Sequence, residues 1–106
     1  MMAQLVAIHA IPADAETYRR HYFETHVPLV QRLPGLRKYQ VSDGPVGVPG
    51  AGPPAFLVAV MHFKDLASIS RALASPEGKA AAADMPNFAA EGDIQLLMFE
   101  CRNLEL

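Results

Sequence analysis

The sequence lacks the features that mark several common classes of binding protein. It has a single cysteine, Cys101, which excludes an internal disulfide and a cysteine zinc cluster. Nine basic and eleven acidic residues give a net charge of −2 without a basic cluster, so we expect neither nucleic acid nor a membrane surface as a partner. No phosphate-binding loop, Gly-x-Ser-x-Gly or Ser-x-x-Lys pattern occurs, so no cofactor and no acyl-enzyme chemistry is expected.

Long hydrophobic runs are also missing. No stretch approaches the roughly 20 apolar residues that cross a membrane. The N-terminus has neither the charged segment nor the long apolar run of a signal peptide, so we expect a cytoplasmic protein. The length predicts a single domain over residues 1–106, and a hydrophobic content of 51% allows a thin but real core.

The order of predicted elements is βαββαβ. Apolar runs predict strands at 3–10, 36–43, 55–63 and 94–101. The first helix is predicted from about residue 15 to residue 32, with Asp14 as its N-cap and a kink near His26 caused by Pro28. This order is typical of the α+β ferredoxin-like sandwich, in which two helices cover one face of a four-stranded antiparallel sheet.

The remaining segments fit the same order. Asp65 and Ser75 are predicted to cap two consecutive helical segments that residues 85–87 end. Residues 44–54 hold eight of the sixteen glycines and prolines and predict a loop between strands 2 and 3.

The predicted sheet is apolar on both faces. Strands 1 and 3 are the most apolar and are expected at the centre, parallel to each other, with strand 2 at an edge. Strand 3 does not alternate, since Val58 and Val60 oppose Leu57 and Met61. Because the helices can cover one face only, we expect a homodimer that forms through the other sheet face.

The first helix carries an unusual stripe. Tyr18, Tyr22 and His26 recur at intervals of four, so they share the face that should point at the core. His26 is the candidate general acid/base, with Tyr22 orienting a ligand oxygen. A structural role is the alternative for His26, as the partner of a carbonyl freed by Pro28. Tyr18 is expected to pack by its ring, with its hydroxyl reaching water.

Other polar residues complete the predicted ligand pocket. His9 and His62 end the two central strands, and a parallel pair would bring them into contact. His26 is expected near the opposite end of the sheet, so a three-histidine metal site is not predicted. Asp84 closes the second helical region and is either a turn cap for Asn87 or a catalytic carboxylate.

Two segments of the chain resemble the EthD family, named after ethyl tert-butyl ether degradation. The residues that carry the resemblance are Tyr22, 26–30, 33–37, Tyr39, 75–78 and 84–88. With the matching element order, the resemblance spans essentially the whole chain. It implies a dimeric α+β barrel, in which two four-stranded sheets face each other and a pocket lies between the helices and the sheet of each subunit. Relatives with this architecture include cofactor-free monooxygenases, muconolactone isomerases and polyketide cyclases.

Two functions follow from the residues and the resemblance together. The first is a cofactor-independent lyase, isomerase or monooxygenase that acts on a small apolar compound, such as a lactone, an aromatic or a polyketide-like molecule. In that enzyme the catalytic residues are His26 and Tyr22, and the ligand pocket includes Tyr18, His9, His62 and Asp84. The alternative is a non-catalytic ligand-binding or accessory protein of a degradation pathway.

Overall fold

One four-stranded sheet, covered on one face by helices, forms the molecule. The computed structural model describes residues 2–50, 52 and 54–106. The strands are β1 (Ala3–His9), β2 (Lys38–Val41), β3 (Leu57–Phe63) and β4 (Ile94–Glu100). The helices are α1 (Ala15–His21), α2 (Val27–Val30), α3 (Leu66–Ala74) and α4 (Pro76–Asp84). A π-helical segment, Tyr22–His26, joins α1 to α2, and a 3₁₀ turn, Met85–Asn87, follows α4.

The sheet order is β2-β3-β1-β4, which is the ferredoxin-like arrangement with β2 at an edge. The predicted α+β fold is confirmed, but the predicted direction of β3 is wrong, because β1 and β3 are antiparallel. The crossover helix makes β1 and β2 parallel, and β3 inserts between them, so it must run against both. The register pairs His9 with Leu57 and Gln4 with His62, which places the two histidines at opposite ends of the sheet.

Alternation along the two central strands defines the core. Every second residue of β1 and β3 is buried under the helices, beginning with Ala3 and Leu57. The other side of the sheet, which we call the open face, carries six apolar side chains. They are Val6, Ile8, Val58, Val60, Leu97 and Phe99. The helices cover β4 only partly, since Leu96 and Met98 on their side are 46% and 43% exposed.

Three predicted helix caps are present. The carboxylate of Asp14 accepts from the backbone N–H of Thr17, and that of Asp65 accepts from the N–H of Ser68. The Ser75 hydroxyl accepts from Gly78 at 3.0 Å and so begins α4. In the predicted loop 44–54, residues 51 and 53 lie outside the described residues, and the others belong to no helix or strand.

The first helical region widens where the sequence predicts a kink. Pro28 has no backbone N–H, so the carbonyl of the residue one turn before it lacks its usual donor. The N–H of Val27 bonds the carbonyl of Tyr22, five residues back, as in a π-helix. Steps of four residues drift by about 40° around an α-helix. A π turn contains more residues than an α turn, so each residue advances by a smaller angle around the helix axis. The π segment therefore compensates for the drift. His26 therefore stays on the sheet side, below Tyr22. Within the described ranges, no helix has the length and apolarity needed to cross a membrane.

Candidate functional site

Two residues of the polar stripe, Tyr22 and His26, line a cavity between the helices and the sheet. Tyr18, Tyr22 and His26 are 4%, 1% and 7% exposed, so the whole stripe is buried. The cavity has a volume of about 90 Å³. Its walls are mostly aliphatic, with Leu5, Ala7, Val30, Leu33, Ala59 and Met61 among them. Four polar side chains also line it: His9, Tyr22, His26 and Tyr39. A small molecule in this cavity would meet few polar groups, each in a defined position.

A buried carboxylate orients His26. Nδ1 of His26 lies 3.0 Å from Oδ2 of Asp84. The other oxygen of that carboxylate, Oδ1, accepts from Nε2 of His21 at 2.9 Å and from the side-chain amide of Asn87. Burial alone raises the pKa of Asp84, but the hydrogen bonds from His21, Asn87 and His26 outweigh it and leave that pKa below its usual value. An ionised carboxylate only accepts, so Nδ1 of His26 carries a proton.

The other nitrogen of His26, Nε2, remains for the cavity. Among the described residues, no side chain or backbone group bonds it. Burial lowers the pKa of His26, and the hydrogen bond and charge of Asp84 offset only part of that effect. The neutral ring therefore presents an unprotonated Nε2, which is a proton acceptor. His26 bonds a carboxylate rather than a carbonyl freed by Pro28, so the structural alternative is wrong in its predicted partner.

Asp84 does more than cap a turn. It accepts from Asn87 as predicted, and it also joins His21 on α1 to His26 on the π segment. The ring of His21 is accordingly half-buried against this carboxylate. The sequence could not indicate this contact, since 63 positions separate His21 from Asp84.

A pair of tyrosines lies beside the imidazole. The hydroxyl oxygens of Tyr22 and Tyr39 are 2.5 Å apart. Burial raises the pKa of both phenols, so both keep their protons at neutral pH. One proton fills the bond between the two oxygens, and the second is available to a ligand. Tyr39 was not predicted as a site residue, although it lies on the helix side of β2 opposite Met61 and belongs to the motif that carries the family resemblance.

His9 is part of the same cavity, contrary to the predicted separation from His26. It is 1% exposed, and its ring lies 5.2 Å from that of Tyr22, which in turn lies 5.6 Å from that of His26. Nδ1 of His9 is 2.6 Å from the hydroxyl of Tyr18, so the prediction that this hydroxyl reaches water is also wrong. The end of β1 lies under Tyr22, one turn before His26, so the two imidazoles line one cavity.

His62 is the predicted pocket residue that the structure separates from the others. It lies on the open face, where its Nε2 is 3.0 Å from Oε1 of Gln40 on the neighbouring strand. The predicted contact between His9 and His62 is wrong, because β1 and β3 are antiparallel and the two residues lie at opposite ends of the sheet. Among the residues that the structure describes, no three His, Cys, Asp or Glu side chains are arranged to hold a metal ion.

Phe88 packs against three aromatic rings of the site. It stacks on His21 at 4.9 Å between centroids and lies 5.0 Å from the rings of both His26 and Tyr18. Sequence reasoning did not select it as a site residue. The signal that could have found it is its place directly after the turn that ends the last helix.

An open depression next to α4 shares part of its wall with the cavity. This depression has a volume of about 370 Å³ and shares Ala82, Met85 and Ile94 with the cavity. The cavity alone is smaller than the roughly 150 Å³ that holds a benzene molecule. A larger ligand would therefore place one end beside the imidazoles and the rest in the depression.

The structure thus belongs to the class of small α+β sandwiches that enclose a cavity of imidazoles and phenols. The model of the EthD domain matches residues 12–92, and the chain belongs to the EthD family, as the sequence motif predicts. An uncharacterized 11.0 kDa protein from the thcB-thcC intergenic region of Rhodococcus erythropolis is 35% identical over 93% of this chain and 95% of that protein. The crystal structure of an EthD family protein from Bacillus halodurans is 34% identical, with a TM-score of 0.85 over 96% of this chain and 100% of that one.

Two more distant structures share the fold. SnoaB, a cofactor-independent oxygenase from Streptomyces nogalater, is 16% identical with a TM-score of 0.66, over 97% of this chain and 95% of its own. A dimeric ferredoxin-like protein from Thermobifida fusca is 16% identical with a TM-score of 0.67, over 95% of this chain and 92% of its own. At these identities the likeness concerns the fold alone.

Proposed function

We propose that this protein binds a small, largely apolar molecule and removes a proton from it, with His26 as the general base. The observation that carries the proposal is the hydrogen bond from Nδ1 of His26 to the buried carboxylate of Asp84. That bond fixes the ring orientation and leaves Nε2 unprotonated on the cavity wall. A base held in this way, in an apolar cavity, is suited to general base catalysis at neutral pH.

The tyrosine pair supplies the group that positions the substrate. The proton that does not lie between Tyr22 and Tyr39 can be donated to an oxygen of the bound molecule. An aromatic, lactone or polyketide-like compound offers both an apolar body for the cavity and an oxygen for this donor. Lyases, isomerases and cofactor-independent monooxygenases can all begin by proton abstraction. The site therefore supports the first step that these three reaction types share, and it does not distinguish among them.

Two observations support a reaction without a cofactor. Transfer of a proton from a carbon acid or phenol to an imidazole requires no other group. The fold is shared with SnoaB, which is a cofactor-independent oxygenase, and this likeness is support by analogy only. The accessory role in a degradation pathway is the competing proposal, in which the same cavity carries a ligand that is not converted.

The experiment begins with a thermal-shift screen of small lactones, phenols and aryl ketones. Compounds that stabilise the protein are then incubated with it in D₂O, and exchange of an acidic hydrogen is followed by mass spectrometry and NMR. Wild-type protein should accelerate the exchange of at least one stabilising compound. Binding of every such compound without exchange or conversion would contradict the catalytic proposal and favour the accessory role.

A matched pair of variants tests the base. In His26→Asn, the amide nitrogen can still donate to Asp84, while the cavity nitrogen is removed. Exchange should fall by about 10² to 10⁴-fold, the usual contribution of a general base. Glu24→Gln changes an exposed residue on the same π segment and should leave the rate unchanged. Equal rates for His26→Asn and Glu24→Gln would reject His26 as the base.

The open face supports a proposal about assembly. The six apolar side chains on that face have no covering element among the described residues, and patches of this kind usually mark interfaces. We infer a homodimer in which the open faces of two copies pack together. The distant structure from Thermobifida fusca is described as dimeric, which supports a dimeric assembly. A small-molecule ligand and this second copy are the partners that we propose, and a cytoplasmic location stays a prediction.

A further inference from the structure

Two buried polar groups have no part in the proton abstraction proposed above. They are the imidazole of His9, 1% exposed, and the phenol of Tyr18, 4% exposed. Their polar atoms meet each other, since Nδ1 of His9 lies 2.6 Å from the Tyr18 hydroxyl. Removing such groups from water is costly unless their hydrogen bonds are satisfied, so the pair calls for an explanation.

The phenol determines which nitrogen of His9 carries the proton. Burial, with the nearby charge of Asp93, raises the pKa of Tyr18 to about 12, so the hydroxyl keeps its proton and needs an acceptor. Among the described residues, its only hydrogen-bond partner is Nδ1 of His9. If the phenol donates to Nδ1, then Nδ1 is an acceptor and the neutral ring carries its single proton on Nε2.

The Nε2 atom of His9 is available to a molecule in the cavity. It has no hydrogen-bond partner among the described residues, and His9 lines the cavity. No fully buried side-chain nitrogen or oxygen in the described part of the chain lacks a partner, so Nε2 of His9 is not fully buried. The ring centroids of His9 and His26 lie 5.2 Å and 5.6 Å from that of Tyr22, and both rings line the cavity. The cavity thus has a hydrogen-bond donor, His9, and an acceptor, His26.

We propose that His9 is a catalytic hydrogen-bond donor that binds a carbonyl oxygen of the substrate, and that Tyr18 is the positioning residue that fixes its tautomer. The chemical step of this proposal rests on the proposed function of His26 as a base, whereas the donor role of His9 does not. In that step, Nε2 of His26 takes a proton from the carbon next to the carbonyl. The electron pair of the broken C–H bond forms a C=C bond, and the carbonyl π pair moves to oxygen, which accepts the Nε2–H bond of His9.

This assignment narrows the substrate class. The molecule must carry a ketone, ester or lactone carbonyl with an acidic hydrogen on the adjacent carbon. A neutral imidazole is a suitable donor for the resulting enolate oxygen, because it stabilises negative charge without itself being a cation in an apolar site. A hydrocarbon of the same shape would leave Nε2–H of His9 unpaired and should bind less well.

The tautomer can be measured without a substrate. Nitrogen-15 NMR of the histidine rings in wild-type protein at pH 7, assigned with single-histidine variants, distinguishes protonated from unprotonated nitrogens. His9 should show a protonated Nε2 and an unprotonated Nδ1, while His26 should show the reverse. Tyr18→Phe should remove the fixed tautomer of His9 and leave His26 unchanged. A His9 ring that is protonated on Nδ1, or on both nitrogens, would overturn the proposal.

The donor role is tested with two probes of similar shape, cyclopentanone and methylenecyclopentane, titrated by NMR. One net hydrogen bond corresponds to roughly a 2- to 12-fold change in affinity, so wild-type protein should prefer the ketone by about that factor. His9→Leu should abolish the preference, and His9→Gln, which keeps a donor, should restore part of it.

A further variant separates this proposal from the proposed function. His26→Asn should leave the ketone preference intact, since it does not alter the His9 donor. A preference that persists in His9→Leu would refute the donor role and leave the base role of His26 standing. If the ketone preference depends on His9 but the protein exchanges the hydrogens of no compound, the donor role of His9 is supported and the base role of His26 is refuted.

Discussion

Acid should weaken this protein chiefly because His9 is buried without a charge partner. Burial, together with the nearby His26, lowers the pKa of His9 from 6.5 to about 4. Between these two values the unfolded chain binds a proton at this position and the folded protein does not. The free energy of unfolding therefore rises with pH across this window and levels off above the unfolded pKa.

The size of the effect follows from the shift. A difference of about 2.5 pKa units corresponds to about 3 kcal/mol when the effect is complete, at 1.36 kcal/mol per unit. At pH 5, where the loss is partial, the stability contributed by neutral His9 should be about 2 kcal/mol lower than at pH 8. The pKa of His26 is also lowered by burial, so some acid sensitivity remains when His9 is removed.

Urea unfolding at fixed protein concentration, from pH 8 to pH 5, measures this term. The free energy of unfolding of wild type should fall by about 2 kcal/mol more over this range than that of His9→Gln, which cannot titrate. The control is Ile69→Val, which removes a buried methylene at a cost of about 1 kcal/mol and should lower stability equally at every pH. Parallel curves for wild type and His9→Gln would refute the reasoning, because they would show that folding does not shift the pKa of His9.

Three other changes test the carboxylate, the helix packing and the open face. Asp84→Asn removes the charge that accepts from His26, and it should cost about 2 to 3 kcal/mol in urea unfolding and slow hydrogen exchange of a bound carbon acid at least about 100-fold. Gly78→Ala places a Cβ against the backbone carbonyl of Ala72, so despite better helix propensity it should lower the free energy of unfolding by about 1 to 3 kcal/mol. The matched control, Gly47→Ala, meets nothing within 4 Å and should change stability by less than about 0.5 kcal/mol. Wild type should sediment as a dimer that buries at least about 1,600 Å², and Val6→Glu should sediment as a monomer; a monomeric wild type would contradict the interface.

The fold could be predicted from the sequence because its signals are local. Asp14, Asp65 and Ser75 mark helix starts through bonds to backbone groups only three residues away. The break at Pro28 is equally local, since a missing N–H affects one turn of one helix. The apolar character of both sheet faces is visible in strand β3 alone. Each of these features needs no knowledge of how distant parts of the chain meet.

The site was predicted less completely because its contacts join distant parts of the chain. The stripe of Tyr18, Tyr22 and His26 was predicted to face inward, and it does. The partner of His26 lies 58 positions away, and helical spacing says nothing about which residue of α4 will approach it. Tyr39 and Phe88 carry no polar pattern of their own, so only the assembled fold shows that they contact the stripe.

The placement of the histidines was the error with the largest consequence for function. A parallel pairing of β1 and β3 would put His9 beside His62, and the length of the first helix was expected to put His26 at the other end of the sheet. The antiparallel register instead puts His62 at the other end and on the other face of the sheet, and His9 lies beside Tyr22, which also contacts His26. The cavity then holds one imidazole whose accessible nitrogen accepts a proton and another whose accessible nitrogen donates one. Asp84 imposes the first state through Nδ1 of His26, and Tyr18 imposes the second through Nδ1 of His9. Two chemically identical side chains thus acquire opposite roles, each through one neighbouring residue. These roles depend on the assembled site, and neither the spacing of the stripe nor the composition of the chain indicates them.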